Sequence, residues 1–598
     1  MRGRLHALVG WGILLSTMPA ATAEAGASPE SQVPDPKWAF TIPELVKLGP
    51  QVRYRGSGSA ELSAARGECV ATQVVAPPPV RHLRIRATPL VQKKAPPLQA
   101  AIYREAFIQV TSASNLEGRP GRWPDALIPT IDAYAQEKRS AFPATSEGPE
   151  PVVAYVEICV PAGAPPGPYL GEVLVEALGR NPVRIPLHLR VAAYTLPATS
   201  TLPSSFGFSG LTAASGHGLP RTPENVFALT HRYALAALQH RISLHGMSME
   251  PPAILSVNPP KLSFEAYDRE VAPFLDGTAL PSGARFTSID VRMHPKARTD
   301  EQRVAYLRAY AAHLRERGWL DRAFVYLKDE PRPEELPLVR RYAQLVHEAD
   351  PKLRALVTTS LVPPVAGVID LWTPNLNCLF ARSHDDYCRL VVPLAAYQTE
   401  RARGARLWWY QSCGSHGCGS LPAHDLPNLR YFSGWPSYMV DHDAALNRAM
   451  GVLAFRHGIE GELYFNTVEA YVAPQDSKRS DCWRDLWRFH GNGDGTLFYP
   501  GTPERIGGST HVPIESLRLK HLRAGLQDYE VLSVARSLGL RREAEAFAGE
   551  LAPQPYEIAR DPEKWKRARE RLNAAIEAQM KASAEYRRER PVETQGRP

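Results

Sequence analysis

Cysteine is scarce in this chain, with 7 among 598 residues, too few for a disulfide scaffold, although one or two bridges suit an exported protein. Long apolar runs are missing too. Mean hydropathy is -0.28, and no stretch reaches bilayer-spanning length, which argues against an integral membrane protein. No block of like charge occurs either: 70 Lys and Arg are interspersed with 62 Asp and Glu, for a formal charge of +8. That is a solvated surface with mild attraction for anions, and no nucleic-acid footprint. A Gly-rich nucleotide loop is also absent after the first strand of the alternating region described below, so a dinucleotide-binding sheet lacks its signature.

What is present starts at Met1-Arg-Gly-Arg4, followed by an apolar segment from Leu5 to Met18 and then Pro19-Ala-Ala-Thr-Ala23. A positive n-region, an h-region and a small-x-small site predict a signal peptide over 1–23 and a secreted or periplasmic protein. Losing Arg2 and Arg4 with it takes the charge from +8 to +6. No cysteine lies near the cleavage site, which disfavours a lipoprotein, and no stable membrane insertion is expected. Residues 24–38, rich in Pro, Ser, Ala and Gly, read as a disordered leader.

Residues 39–198 consist of short β-rich runs separated by Pro and Gly. Apolar and polar residues alternate through 183–192, which indicates a sheet with one wet face; several such runs predict a β-sandwich. Beyond 198 the rhythm changes. Strands are expected at 204–209, 242–247, 285–291, 324–328, 355–359, 368–372, 406–410 and 462–465. Helical patterns fall at 222–239, 301–317, 334–348, 386–401, 444–456 and 513–538. Eight strands in a βα rhythm predict a (β/α)8 TIM-like barrel over 199–540. Residues 541–598 read as a helical C-terminal extension. The fold class is thus multidomain α and β: sandwich, barrel, helical extension.

The densest signal is Phe324-Val-Tyr-Leu-Lys-Asp-Glu-Pro331, an apolar strand that delivers two adjacent carboxylates to its own tip. Barrel enzymes place their chemistry at strand C-terminal ends. Other tips carry Asp370 to Asn375, Trp408-Trp409-Tyr410 with Gln411, and Tyr464-Phe-Asn466. Acids framed by aromatic rings and amides suit a sugar, whose ring faces pack on aromatics while its hydroxyls meet amides and carboxylates. The catalytic candidates are Glu330 and Asp329. Asp370, Asn375, Trp408, Trp409, Tyr410, Tyr464 and Asn466 are candidates for substrate contact.

Glycoside cleavage needs a proton donor for the leaving oxygen and a group that stabilises positive charge at the anomeric carbon. Adjacent side chains diverge, so Asp329 and Glu330 do not flank a ring as a separated pair would. They fit a scheme in which the substrate's own 2-acetamido oxygen is the nucleophile. Glu330 then acts as general acid, and Asp329 orients the acetamido N–H. Partial burial and the neighbouring charge are expected to raise the Glu330 pKa, and Pro331 is expected to hold Glu330 extended.

Cys413 with Cys418, or Cys378 with Cys388, are open candidates for bridging. Cys413-x4-Cys418 beside His416 and His424 lacks the spacing of a zinc finger, so a loop disulfide is expected there rather than a metal. Gly491 to Gly495 has too few acids for calcium and reads as a rigid turn. Arg518 and Arg523 are expected to pair with Asp528 or Glu530.

The strand-end Asp-Glu-Pro, Leu407-Trp-Trp-Tyr410, Gly461-Glu-Leu-Tyr-Phe-Asn466, Asn492 to Gly501 and Ser516 to Glu530, in this order, resemble the DUF4091 catalytic domain shared with glycoside hydrolase family 123. The resemblance spans 202–538. Ala64-Ala-Arg-Gly-Glu68 and Pro166 to Gly171 likewise resemble that family's N-terminal domain. It implies an exo-acting β-N-acetylgalactosaminidase with Glu330 as acid and Asp329 as acetamido orienter, a partner glycan with a terminal 2-acetamido sugar, and no cofactor or metal. Phe465 stands where relatives often have Trp. The rival readings are a glycosidase for another sugar, with Asp370 as a distant partner if the sugar is unsubstituted, a non-catalytic glycan-binding protein, and a structural envelope protein.

Overall fold

Alternation of buried and exposed residues builds one sheet of the N-terminal region, while strands of the other, such as Val152–Cys159, are buried on both faces. In Val183–Thr195, for example, Val183, Ile185, Leu187, Leu189 and Val191 are buried while Arg184, His188 and Arg190 are exposed. The computed structural model describes residues 38–589 except 51, 94, 248–250, 258–259, 383–387, 389–390, 413–430, 472–480 and 489–490. The expected signal segment, the leader up to residue 37, and the Cys413–His424 region lie outside the described residues.

Ten strands open the chain: β1 (Phe40–Pro43), β2 (Ala60–Arg66), β3 (Cys69–Ala76), β4 (Val80–Ala87), β5 (Ala100–Val110), β6 (Gly121–Pro129), β7 (Ala144–Ser146), β8 (Val152–Cys159), β9 (Gly167–Glu176) and β10 (Val183–Thr195). They form two sheets, β1-β3-β8-β5-β6 and β2-β10-β9-β4-β7. Val74 and Val156 of the first meet Val173, Ile185 and Leu187 of the second in one dry core, the arrangement of a sandwich.

The next strands are β11 (Ser204–Gly207), β12 (Leu244–His245), the hairpin β13 (Ala253–Val257) and β14 (Pro260–Ser263), β15 (Ile289–Asp290), β16 (Ala323–Asp329), β17 (Arg354–Thr358), β18 (Leu371–Trp372), β19 (Arg406–Leu407), β20 (Trp409–Tyr410) and β21 (Glu462–Tyr464). Two all-parallel arcs result, β12-β11-β21-β20 and β15-β16-β17-β18-β19. β19 and β20 are successive parts of one run, which joins the arcs at that side. Between β12 and β15 no ladder forms among the described residues. Where a closed barrel was expected, the observed architecture is a mixed α/β layer of two arcs around a shared apolar plug. That plug comprises Phe324, Leu356, Leu371, Trp408 and Leu463.

Helices pack outside the arcs. Pro223–Gln239 starts where Thr222 accepts from Asn225 N, with Pro223 in the first turn. Asp300–Glu316 carries a full Thr299/Gln302 capping box. Two expectations need correction. Among the described residues, the helix expected over 386–401 appears as a 3-10 turn, Leu394–Tyr397, and a short helix, Gln398–Ala402. The helix expected from 513 starts four residues later, at Leu517, because β25 (Val512–Ser516) first pairs with the sandwich.

That pairing matters for the whole molecule. After the short β22 (Trp487–Arg488) and β23 (Gly491–Asn492) hairpin, β24 (Phe498–Gly501) and β25 extend the first sheet beyond β6. The following helix, Leu517–Ser537, is buried on nearly every side. Its cations do not pair as expected. Arg518 forks onto Asp125 of β6 at 2.8 Å, while Arg523 and Lys520 bind Glu157 of β8. Asp528 instead takes Arg448 and Arg569, and Glu530 takes Thr201 and Arg241. A spacing rule within one helix overlooked acids supplied by another sheet.

Cys378 pairs with Cys388, one of the two candidate bridges. A second bridge, Cys69–Cys159, joins residues directly opposite one another on β3 and β8. The C-terminal helix Pro562–Glu589 crosses the sandwich, with Arg569 on Glu68 and Glu577 on Arg190.

Candidate active site

Side chains on a strand alternate between faces, so the residue two positions past each plug residue lies above it on the same face. This rule places Tyr326 above Phe324, Thr358 above Leu356, Thr373 above Leu371, Tyr410 above Trp408 and Phe465 above Leu463. Tyr326 and Tyr410 do pack on the plug. Four of these residues, Tyr326, Thr358, Thr373 and Tyr410, carry hydroxyls at the C-terminal end of the arcs, over an apolar floor.

The acids sit beside these hydroxyls. The β16/β17 register slips between Tyr326 and Lys328, a bulge that turns the strand end before Asp329 pairs with Thr358. Both acids are exposed. Asp329 Oδ1 accepts the Tyr326 hydroxyl at 2.8 Å and the Thr358 hydroxyl at 2.8 Å. Glu330 N donates to Thr358 Oγ1 at 3.0 Å, and the Tyr410 hydroxyl donates to Glu330 Oε1. Glu330 has φ of 39°, a left-handed conformation uncommon for a residue with a side chain. The extended backbone expected from Pro331 is thus not adopted, and the partial burial expected of Glu330 is not present. The bulge and the Thr358 hydrogen bond outweigh the preference of a residue before proline.

Other strand ends contribute groups that the sequence reading did not select. His245, ending β12, bonds Ser205 Oγ through Nδ1 at 3.0 Å and sets its ring edge-on to Tyr326, 6.3 Å between centroids. Burial holds the His245 imidazole below its ordinary pKa, against the opposing pull of Asp290 and Asp329. Asp290, ending β15, accepts Gly246 N at 3.0 Å. The strand-tip rule that picked Asp329 applies equally to 242–247 and 285–291. Alternation from Phe324 reaches Tyr326 as well.

The expected substrate contacts divide sharply. Tyr410 is in place, on Glu330. Asn375 bridges to Tyr410 and is nearly buried; its Oδ1 accepts Asn377 N, and its Nδ2 is buried without a partner. Thr373 Oγ1 and both amide atoms of Gln411 are also buried and unpartnered. Asn466 lies at the eighth tip, but its amide closes the local turn onto Thr467 N, Val468 N and Glu469.

Four expected contacts belong elsewhere. Trp408, 2% exposed, is part of the plug against Phe324, and Trp409, fully buried, faces the outer helix layer. Neither presents a ring to the opening, because consecutive strand residues alternate between two interiors. Tyr464 is fully buried and spends its hydroxyl on Asp494 and Gly495 N, which ties down the Gly491–Gly495 turn. Asp370 precedes β18, at the opposite end of the arc from Asp329, where it accepts His347 and Ala355 N at 2.7 Å each. It cannot act as a distant catalytic carboxylate from there.

Among the described residues, no group of His, Cys, Asp or Glu is placed to hold a metal ion, and no helix is long and apolar enough to cross a membrane.

Comparison with known proteins relates part of the chain to one family. Residues 285–535 match the family model of the glycoside hydrolase 123 catalytic domain. No curated protein sequence matches the chain. Among solved structures, a family 123 glycoside hydrolase from Clostridium perfringens, analysed for the details of glycolipid glycan hydrolysis, superposes with a TM-score of 0.63 at 14% identity. It covers 92% of this chain and 99% of its own. At that identity the likeness shows the fold alone. A Bacteroides ovatus family 5 xyloglucanase (10% identity, 80% of this chain and 100% of that one, TM-score 0.27) is too distant to support an argument. So is a family 39 glycoside hydrolase from Bacteroides cellulosilyticus (11%, 76% and 82%, TM-score 0.32).

Proposed function

We propose that this chain, related to glycoside hydrolase family 123 through residues 285–535, is an exo-acting glycosidase. It releases terminal β-linked N-acetylgalactosamine with retention, through substrate assistance. The two arcs are read as the walls of one (β/α)8 barrel, 199–540, whose C-terminal opening holds the site. The observation that carries the reading is the pair of adjacent carboxylates held by different neighbours, Asp329 by Tyr326 and Thr358, Glu330 by Tyr410. Anchored apart in this way, they serve two atoms on one side of a sugar rather than its two faces.

Glu330 donates its proton to the glycosidic oxygen as the bond to C1 breaks. The acetamido carbonyl oxygen attacks C1, and Asp329 accepts the acetamido N–H, favouring the oxazolinium ion that forms. The Glu330 carboxylate then takes a proton from water, which opens the oxazolinium and restores the acid. Tyr410, on Glu330, and Asn375, bridged to it, are the proposed sugar contacts. Glycolipid glycans, the subject of the Clostridium work, are carriers that suit an exported enzyme, and cleavage after Ala23 is part of the same proposal.

The test is turnover of chromogenic β-GalNAc, β-GlcNAc and β-galactoside substrates by wild type, Glu330→Gln and Asp329→Asn. Losing a general acid lowers kcat by about 100- to 10,000-fold, least for aryl leaving groups that need no proton. Hydrolysis of the plain β-galactoside as fast as of the acetamido sugars would rule out substrate assistance. Binding without turnover, unchanged by Glu330→Gln, would make the protein a glycan-binding module.

A further inference from the structure

We infer that Thr358 is a positioning residue that sets both acids through one hydroxyl. The inference rests on the proposed role of Asp329 and Glu330. Proton counting fixes the directions of the bonds. Thr358 Oγ1 lies 3.0 Å from Glu330 N, 2.8 Å from Asp329 Oδ1 and 3.1 Å from the Tyr326 hydroxyl. A backbone N–H can only donate, so Thr358 Oγ1 accepts from Glu330. A carboxylate can only accept, so the single Thr358 proton goes to Asp329 Oδ1. The Tyr326 proton goes to the same oxygen, 2.8 Å away, which leaves the Tyr326–Thr358 approach as a contact between two donors to Asp329.

Two consequences follow. Oδ1 of Asp329 is filled by two donors, which leaves Oδ2 of this exposed residue as the acceptor for a substrate N–H. The Glu330 N–H, held by the same hydroxyl, keeps the residue at φ of 39°, a conformation that needs local support. Thr358 is 2% exposed, on the inner face directly above the plug residue Leu356. It is therefore a rigid post between two exposed carboxylates. Tyr326 supports Asp329 alone and makes no hydrogen bond to the Glu330 backbone.

Three variants separate the two effects. Thr358→Val keeps the shape and loses both hydrogen bonds; Thr358→Ser keeps both; Tyr326→Phe removes one donor to Asp329 alone. For Thr358→Val, kcat on the N-acetyl substrate falls about 10- to 100-fold, the range for a lost hydrogen bond to a charged group, with KM little changed. Thr358→Ser restores kcat to within a few fold of wild type. Crystal structures give an arm independent of turnover: in Thr358→Val, Glu330 leaves the left-handed region or Asp329 swings from its wild-type orientation, while Thr358→Ser and Tyr326→Phe leave Glu330 in place. Both carboxylates unmoved in Thr358→Val, or Thr358→Ser as impaired as Thr358→Val, would overturn the inference. A wild type inactive on every 2-acetamido glycoside would sink the proposed function alone, because the crystallographic arm still decides the role of Thr358.

Discussion

Glu462 offers a sharp test of the energetics beneath the site. It lies on β21, level with Ser204 and Trp409 of its two neighbours, and is 1% exposed. Burial pushes its carboxyl up to about 7 from an ordinary 4.5, against the opposing effect of the Tyr438 hydroxyl that donates to it. Between those two values the folded chain keeps a proton that the unfolded chain has released. Stability therefore falls as pH rises through this window, and the loss is complete above about 7. The distance from 4.5 to about 7, at 1.36 kcal/mol per pH unit, is about 3 kcal/mol. Glu462→Gln keeps an acceptor for Tyr438 and carries no charge. Guanidinium unfolding of both proteins at pH 5 and pH 8 isolates the group, since every other titration cancels in the difference. The variant should be nearly equal to wild type at pH 5 and more stable by about 2–4 kcal/mol at pH 8. An equal difference at both pH values would refute the reasoning, because it would mean that Glu462 titrates alike in both states.

Three further outcomes follow from named contacts. Asp125→Ala leaves the fully buried Arg518 guanidinium without its carboxylate, and should cost about 3–5 kcal/mol in denaturant unfolding, with Asp125→Leu/Arg518→Met recovering much of it. Breaking Cys69–Cys159, which closes a 90-residue separation, should cost about 4.5 kcal/mol by chain entropy, against about 3 kcal/mol for the 10-residue Cys378–Cys388 loop; paired Ser variants compared by unfolding check the order. Tyr410→Phe removes the hydroxyl donated to Glu330 and should lower kcat about 10-fold or more with a smaller change in KM; an unchanged kcat would remove Tyr410 from the site.

How much was legible in the sequence depended on whether the signal was local. The acidic tip after Phe324 is visible because a strand and its end lie within eight residues. All eight expected strands contain observed ones, since β-branched and aromatic runs mark them. Trp408 and Trp409 were misread because composition shows that a strand is aromatic but not which face is dry, and here both faces are. Asp370 was misread for a related reason: without the strand's limits, the run 368–372 does not reveal that its acid lies at the wrong end. Thr358 was out of reach, because a threonine near the end of a Val-Thr-Thr strand is an ordinary strand residue until its neighbour's register brings Asp329 beside it. The proline rule applied to Glu330 was correct as a preference and lost to a tertiary hydrogen bond.

The largest miss concerns the helix Leu517–Ser537, and it bears on whether the half that carries the acids can stand alone. This helix has Arg518, Lys520 and Arg523 all buried, a pattern that helical periodicity treats as a wet face. Their acids are Asp125, Glu157 and Glu515, two of them on sandwich strands and the third on β25, which is itself paired to β6. Lys47, between β1 and β2 of the sandwich, likewise donates to the carbonyls of Met439, Val440 and His442. The connection continues to the site. Arg518 also holds the Tyr438 and Gly493 carbonyls, Asp494 takes the Tyr464 hydroxyl, and Tyr464 precedes Phe465 at the opening. Cutting at 199 would leave two cations, Arg518 and Arg523, stripped of their carboxylates in a low-dielectric interior, with Lys520 keeping only Glu515, each stripped cation a loss of several kcal/mol against a domain stability of about 5–15 kcal/mol. Residues 199–540 alone should therefore lack near-UV dichroism and a cooperative transition, while 38–598 has both. A cooperatively folding 199–540 would show that the buried charges at this seam matter far less than their geometry implies.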